Sequence, residues 1–199
     1  MNEIGFWQQN GFTIILEFTS VFVGIVLALA LTQWNQDRIS LNTAKIMMKQ
    51  LVVELDKNRQ LALSSDESID QILPKLIETY EVSLERRKNG IDEPVDIDQQ
   101  QPDYVMPLLS DSVWQLALMR GSTDHLTIEQ GQALFRVYRG QAFLTEQNQR
   151  LNTLMFSYSD DIEEMQILIA SLQQIRQTHE KLVVLYDAAI ADLSDIKAR

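Results

Sequence analysis

Cysteine is absent from the 199 residues, which excludes disulfides, thiolate nucleophiles and cysteine-ligated zinc while leaving the redox compartment open. Proline and glycine are scarce, at 4 and 7, a balance that disfavours the many turns of an all-β fold and favours long helices. Only two histidines occur, His125 and His179, far apart in sequence and without a His-x-x-x-His pair for a metal. Positive charge is missing from the start of the chain, where the first base is Arg38. Overall, 28 acids outnumber 17 bases for a formal charge of −11. Such a surface repels phosphate backbones, and no basic stripe offsets the repulsion, so composition argues against nucleic acid as a partner.

Catalytic signatures are missing as well. Gly121, Gly131 and Gly140 form neither a phosphate loop nor a dinucleotide fingerprint. No Gly-x-Ser-x-Gly elbow or Glu-x-x-His pattern occurs. Glu163 and Glu164 are adjacent, so they point to different helix faces and cannot work as one carboxylate pair. The acidic segment holding Asp92, Glu93, Asp96, Asp98 and Asp103 lacks the Asp-x-Asp-x-Asp-Gly frame of a calcium loop. The expectation is therefore a protein that is not an enzyme, with no catalytic residue, no cofactor and no metal site.

What is present begins with an apolar run. Phe12 to Leu31 reads FTIILEFTSVFVGIVLALAL, with Glu17 as its single charge. As a helix it spans about 30 Å, the hydrocarbon thickness of a bilayer. Trp7 and Trp34 flank it as interfacial anchors. A cleaved signal peptide fits poorly, because no base precedes the run and no small-x-small site follows it. We therefore expect a short segment over 1–11 and a retained transmembrane helix over 12–34. Thr13, Glu17, Ser20, Gly24 and Ala28 recur at helical spacing and share one face. Lipid offers no reason for a face to be small and polar, whereas packed membrane helices do. An acid facing lipid would cost at least about 2.5 kcal/mol unless protonated or partnered. The expected partners are membrane lipid and either a second copy or another membrane protein.

Residues 35–199 read as an all-α domain of long, bundled or coiled-coil-like helices, continuing directly from the membrane helix. A first helix is expected over 35–63, where Ile39, Ile46 and Val53, with Met48, Leu55 and Ala62, recur every seven residues. Ser64-Ser65-Asp66-Glu67 reads as a stop and a new capping box. A second helix then covers 66–88, kinked at Pro74 and closed by Arg86, Arg87, Lys88 and Gly90. A Pro-containing acidic loop fills 90–107. Further helices are expected at 108–119, 124–157 and 160–198, with Gly121 ending the first and Ser122 or Thr123 capping the next. In the last helix Ile162, Met165, Ile169, Leu172, Arg176, His179, Val183, Tyr186, Ile190 and Leu193 form a four-three seam, and Leu168, Ile175, Leu182, Ala189 and Ile196 form a second stripe. Arg176 and His179 are its polar break, expected to set register or meet a partner charge.

The first 40 residues resemble a family of uncharacterised bacterial single-pass membrane proteins, classed as a domain of unknown function. The pattern is a Glu, then Gly, Ala and Trp at set spacings, here Glu17, Gly24, Ala28 and Trp34, within Gln33-Trp34-Asn35-Gln36-Asp37-Arg38. A second echo lies in Ser112 to Gly121, around Trp114, with Tyr138 beyond it. The resemblance implies a bacterial inner membrane and a helical domain, and brings no activity or catalytic residues. Relatives usually carry Lys and Arg before the anchor, which exports the helical domain; this chain has none there. The positive-inside rule alone would place the domain in the cytoplasm. The periplasm is preferred because Arg38 is the only base near the boundary and Asp37 adjoins it.

The expected function is a membrane-anchored, oligomerising helical scaffold or partner subunit. Its alternatives are a sensory module in which a ligand in the bundle shifts the membrane helix, and an ion-conducting oligomer using Glu17.

Overall fold

The computed structural model describes residues 3–91, 104, 106–156 and 161–194, with 3–15 and 156 described in backbone only. The protein is all-α, with one long apolar N-terminal helix and a helix bundle. The chain divides into two units, residues 1–46 and 47–199.

α1 runs unbroken over Glu3–Lys88. The break expected between helices at 35–63 and 66–88 does not occur. Ser64 Oγ donates to Leu61 O at 3.0 Å and Ser68 Oγ to Ser65 O at 2.8 Å, so these serines bond back within the helix instead of capping a new one. Packing is the reason: Ala62, Ser65, Ile69, Leu73 and Leu76 are buried at three- and four-residue steps straight across the expected stop. The helix also continues through Pro74. Its end is as expected. Gly90 takes φ +73, Ile91 N–H donates to Arg86 O at 3.0 Å and Gly90 N–H to Arg87 O at 3.1 Å, a Schellman closure.

In the unit from Met47 onward, three helical stretches surround one core: α1 from Met47 to Lys88, α3 over Ile128–Phe156 and α4 over Ile162–Ser194. α2, Ser112–Met119, is shorter than the expected 108–119 and is followed by a 3-10 turn over Ser122–His125. Gly121 separates them at φ +63. The cap of α3 is Thr127, not Ser122 or Thr123. Gln130 N–H donates to Thr127 Oγ1 at 3.3 Å while Thr127 N–H donates to Gln130 Oε1 at 3.0 Å, a reciprocal capping box. α4 opens two residues later than expected; Asp161 Oδ1 accepts from the N–H of Glu163 at 3.4 Å. Most of the 90–107 loop, and Ile196, lie outside the described residues.

α4 runs antiparallel to its neighbours. Arg59, Asp70 and Arg87 of α1 pair with Asp187 (2.6 Å), Arg176 (3.2 Å) and Glu163 (2.8 Å), so rising numbers meet falling ones. Thr178 donates to Gln147 Oε1 and Gln141 to the Tyr186 hydroxyl in the same reversed order. The buried seam of α4 is Met165, Leu168, Leu172, Ile175, His179, Leu182, Tyr186, Ala189 and Leu193. This merges members of both expected stripes. Ile162, Ile169, Arg176, Val183 and Ile190 are only half-buried on its flank. On α1, likewise, Met48, Leu55 and Ala62 go inside while Ile39, Ile46 and Val53 stay 59%, 51% and 55% exposed. Each fully buried Leu or Ile contributes about 1.5–3 kcal/mol.

α3 and α4 approach closely at Gly140, where an added Cβ would lie 3.0 Å from Leu182 Cδ1 and 3.8 Å from Leu185 Cδ1. Gly131 has open space around it. Gly131→Ala is therefore expected to stabilise the protein by about 0.5–1 kcal/mol through helix propensity. Gly140→Val should destabilise it by about 1–3 kcal/mol through overpacking. Urea unfolding of the full chain in detergent, followed by circular dichroism, reads both; equal effects would mean that the α3–α4 contact is not tight.

Candidate functional site

Three groups of residues carry chemistry, and each begins on α1. The first is the apolar stretch. It is long and apolar enough to cross a membrane, and from Leu16 onward, where its side chains are described, none of it is buried by the rest of the chain. Phe18, Val21, Phe22, Ile25, Leu27, Leu29 and Leu31 are all exposed, so apolar surface wraps most of the helix. Glu17, Ser20, Gly24 and Ala28 are exposed too, and a Cβ on Gly24 would meet nothing within 4 Å. Ser20 Oγ returns its hydrogen bond to Glu17 O at 2.9 Å, and Thr32 Oγ1 to Ala28 O at 2.8 Å, which lowers the polarity of that face. Trp34 is 60% exposed and carries the Arg38 guanidinium 5.3 Å from its ring centroid. The side chains of Trp7 and Thr13 lie outside the described residues.

The second group was not anticipated. Glu54, 5% exposed, is a carboxylate inside the bundle. Its Oε1 accepts from the Tyr138 hydroxyl at 2.8 Å. Its Oε2 accepts from Ser110 Oγ at 2.9 Å, Ser112 Oγ at 3.1 Å and the backbone N–H of Val113 at 2.9 Å. The last lies in the opening turn of α2, where free N–H groups favour an anion. One turn further along α1, Asn58 pairs both backbone groups of Ser110: Nδ2 donates to its carbonyl at 2.6 Å and Oδ1 accepts its N–H at 2.9 Å. Trp114 then stacks on Tyr138, with centroids 5.1 Å apart and planes 7° from parallel. Burial, followed by the hydrogen bond to Glu54, pushes the Tyr138 hydroxyl far above its usual range. A buried carboxylate that accepts four hydrogen bonds holds structure together.

The same pattern repeats along the core. Tyr104 donates to Asn148 Oδ1 at 2.9 Å and accepts from Ser65 at 3.4 Å; Gln141 donates to Tyr186 at 2.7 Å. The available signal in the sequence was Glu54 and Asn58 four apart, and Gln141 and Asn148 seven apart, on otherwise apolar faces.

The third group contains the polar break of α4. Arg176 reaches Asp70 at 3.2 Å and Glu180 at 3.7 Å and is half-exposed. His179 is 1% exposed, and neither ring nitrogen has a hydrogen-bond partner. Its Nδ1 faces Asp66 Oδ1 at 3.7 Å, beyond hydrogen-bond reach, and that oxygen is buried and unbonded as well. The two residues named together therefore separate, Arg176 at the rim and His179 in the core. Burial pushes His179 down to about 4. Burial, then the Asp70 charge, raises Asp66, with Arg176 opposing. Among the described residues, no group of three or more His, Asp or Glu side chains is placed to hold a metal ion.

Comparison with protein-family models, curated proteins and solved structures finds no match to this chain.

Two predictions follow from these interior groups. Tyr138→Phe removes a donor from a buried carboxylate and should cost about 1.5–3 kcal/mol, read by urea unfolding alongside Trp114 fluorescence. For His179, the folded value lies below the ordinary 6.5. The stability held by its neutral form is complete above pH 6.5 and is lost as pH falls toward about 4, where the unfolded chain takes up a proton that the fold refuses. The loss approaches roughly 3 kcal/mol. Asp66 titrates in the opposite sense, so the quantity to measure is the wild-type minus His179→Leu difference in unfolding free energy across that range. A difference that does not change with pH would show that His179 protonates freely.

Proposed function

We propose that this chain is a membrane-anchored helical assembly protein, a scaffold or partner subunit rather than an enzyme. The observation that carries the reading is the uncovered apolar stretch of α1 with its open face at Glu17, Ser20, Gly24 and Ala28. A helix with so much uncovered apolar surface needs lipid or protein around it, and the small face permits a second helix to approach closely. The bundle supports the reading from the other direction, because Glu54, Asn58, Gln141 and Asn148 bond to neighbours within the fold. In this proposal the membrane is a bacterial inner membrane, as the resemblance in the first 40 residues implies, with the bundle on the periplasmic side. Glu17 serves as a hydrogen-bonding carboxyl between packed helices.

The test is the mass of the full chain in detergent, measured by light scattering. A defined oligomer is expected for the wild type. Gly24→Leu should shift it toward monomer by blocking close approach, and Glu17→Gln should preserve it. A monomeric wild type, or an oligomer indifferent to Gly24→Leu, would remove the self-assembly role of this face.

A further inference from the structure

Past the apolar stretch, α1 keeps an uncovered stripe. Ile39, Ile46 and Val53 recur at steps of seven and are 59%, 51% and 55% exposed. Met48, Leu51, Leu55 and Asn58 of the same helix are buried, on the side opposite the stripe at about 100° of turn per residue. The bundle therefore covers one side of α1 and leaves the other bare. On the same helical count Ile39 and Ile46 fall within about 60° of Gly24, so they prolong the side that carries Glu17, Ser20, Gly24 and Ala28. Val53 is one further step of seven. β-Branched residues at every seventh position are what position a of a two-stranded parallel coiled coil carries.

Lipid does not account for the stripe. Ile46 lies about 18 Å along α1 from Trp34, whereas the headgroup layer outside the hydrocarbon is only about 5–8 Å deep. A second copy does account for it. Copies held in one membrane in the same orientation stand parallel and at one height, so each residue of the stripe meets its own counterpart. The flanking residues fit such a pair. With Ile39, Ile46 and Val53 at a, Asn42, Lys49 and Asp56 take position d and Lys57 the following e. Asp56 and Lys57 are exposed and, among the described residues, without an ion-pair partner. In a parallel pair a d residue packs beside the e residue of the other helix, so Asp56 of each copy lies beside Lys57 of the other. Lys49 lays its stem along the seam and keeps its ammonium in water. Polar residues inside such a seam cost stability and fix register.

We propose that α1 of one copy packs in parallel against α1 of a second copy along Ile39, Ile46 and Val53, carrying the contact of the membrane helices beyond the bilayer. This deepens the assembly reading and rests on it for the gathering of copies in one membrane. Two heptads with a polar d position are too weak to join chains from free solution, and anchoring raises the effective concentration to the millimolar range. The contact is isologous, the same stripe on both copies, and it closes as a two-fold dimer. It thereby sets a stoichiometry that the small face around Gly24 leaves open.

The test exploits the absence of cysteine, which lets single thiols report proximity without background. A disulfide needs Cα atoms within about 7 Å, a distance that residue-on-residue pairing supplies. In the full chain in detergent, Ile46→Cys and Val53→Cys are expected to give disulfide-linked dimers under mild oxidation. They should do so at least about tenfold faster than Arg139→Cys and Gln149→Cys, which are exposed on α3. Ile46→Asp with Val53→Asp should weaken the dimer roughly tenfold or more by setting like charges together, read by light scattering across protein concentration. All these positions are exposed, and circular dichroism checks that each variant is folded. Equal crosslinking at the α1 and α3 sites, or a dimer indifferent to the double aspartate variant, overturns the seam. An oligomer that Gly24→Leu breaks, without preferential crosslinking at Ile46 and Val53, leaves the membrane face standing and removes only the seam. Crosslinks that persist in Gly24→Leu keep the seam and remove the membrane face, and a monomeric wild type removes both.

Discussion

A carboxylate inside a helical bundle is costly unless each of its lone pairs is answered, and the geometry around Glu54 follows from that requirement. Its four donors come from the segment before α2, from the first turn of α2 and from α3. Satisfying them sets the rotation of α1 about its axis, holds α2 by its amino end and fixes Tyr138, on which Trp114 can then stack. Asn58 repeats the restraint one turn along by holding both backbone groups of Ser110. Apolar burial supplies most of the driving force in such a bundle. It is non-directional, and the choice of one register among several depends on these polar contacts.

The rest of the core obeys the same division. Gln141 with Tyr186, and Tyr104 with Ser65 and Asn148, fill interior positions that apolar residues could occupy, and each has a partner. His179 and Asp66 depart from it, facing one another at 3.7 Å with buried unbonded atoms. Around the core the pairs Arg59–Asp187, Asp70–Arg176 and Arg87–Glu163 align α4 against α1. The first is held by an exposed aspartate, and the Arg87 hydrogen bond keeps the Glu163 carboxyl low, at about 2. Exposed pairs of this kind add little stability individually; they discriminate between alignments. Outside the core, the uncovered chemistry is the apolar stretch of α1.

Local signals were legible where the controlling atoms are near in sequence. Gly90 and Gly121 end their helices as expected, both in the left-handed conformation, and Arg86, Arg87 and Lys88 close α1. The apolar stretch and the all-helical class could be read from composition and run length. Signals that compete with distant packing were misleading. Ser64 to Glu67 has the chemistry of a helix stop, yet the buried seam through Ala62, Ser65 and Ile69 keeps the helix intact. Ser122 and Thr123 look like caps, but Thr127 has Gln130 at the reciprocal spacing, and Gln130 also reaches the Asp192 carbonyl of α4 at 3.1 Å.

Sequence alone determined the helical class, the single apolar span with its small-residue face, the positions of the left-handed glycines and the acidic character of the surface, because these depend on covalent geometry, periodicity and charge. Tertiary structure decided which of two equally periodic stripes went inside. Met48, Leu55 and Ala62 are buried and Ile39, Ile46 and Val53 are not; in α4 the seam draws on both stripes. It also made Glu54 an interior anchor and not one more surface acid. A heptad pattern specifies that a face will be covered, but the covering helices come from residues distant in sequence, from 31 positions at Thr178–Gln147 to 128 at Arg59–Asp187, and only their packing can select the face.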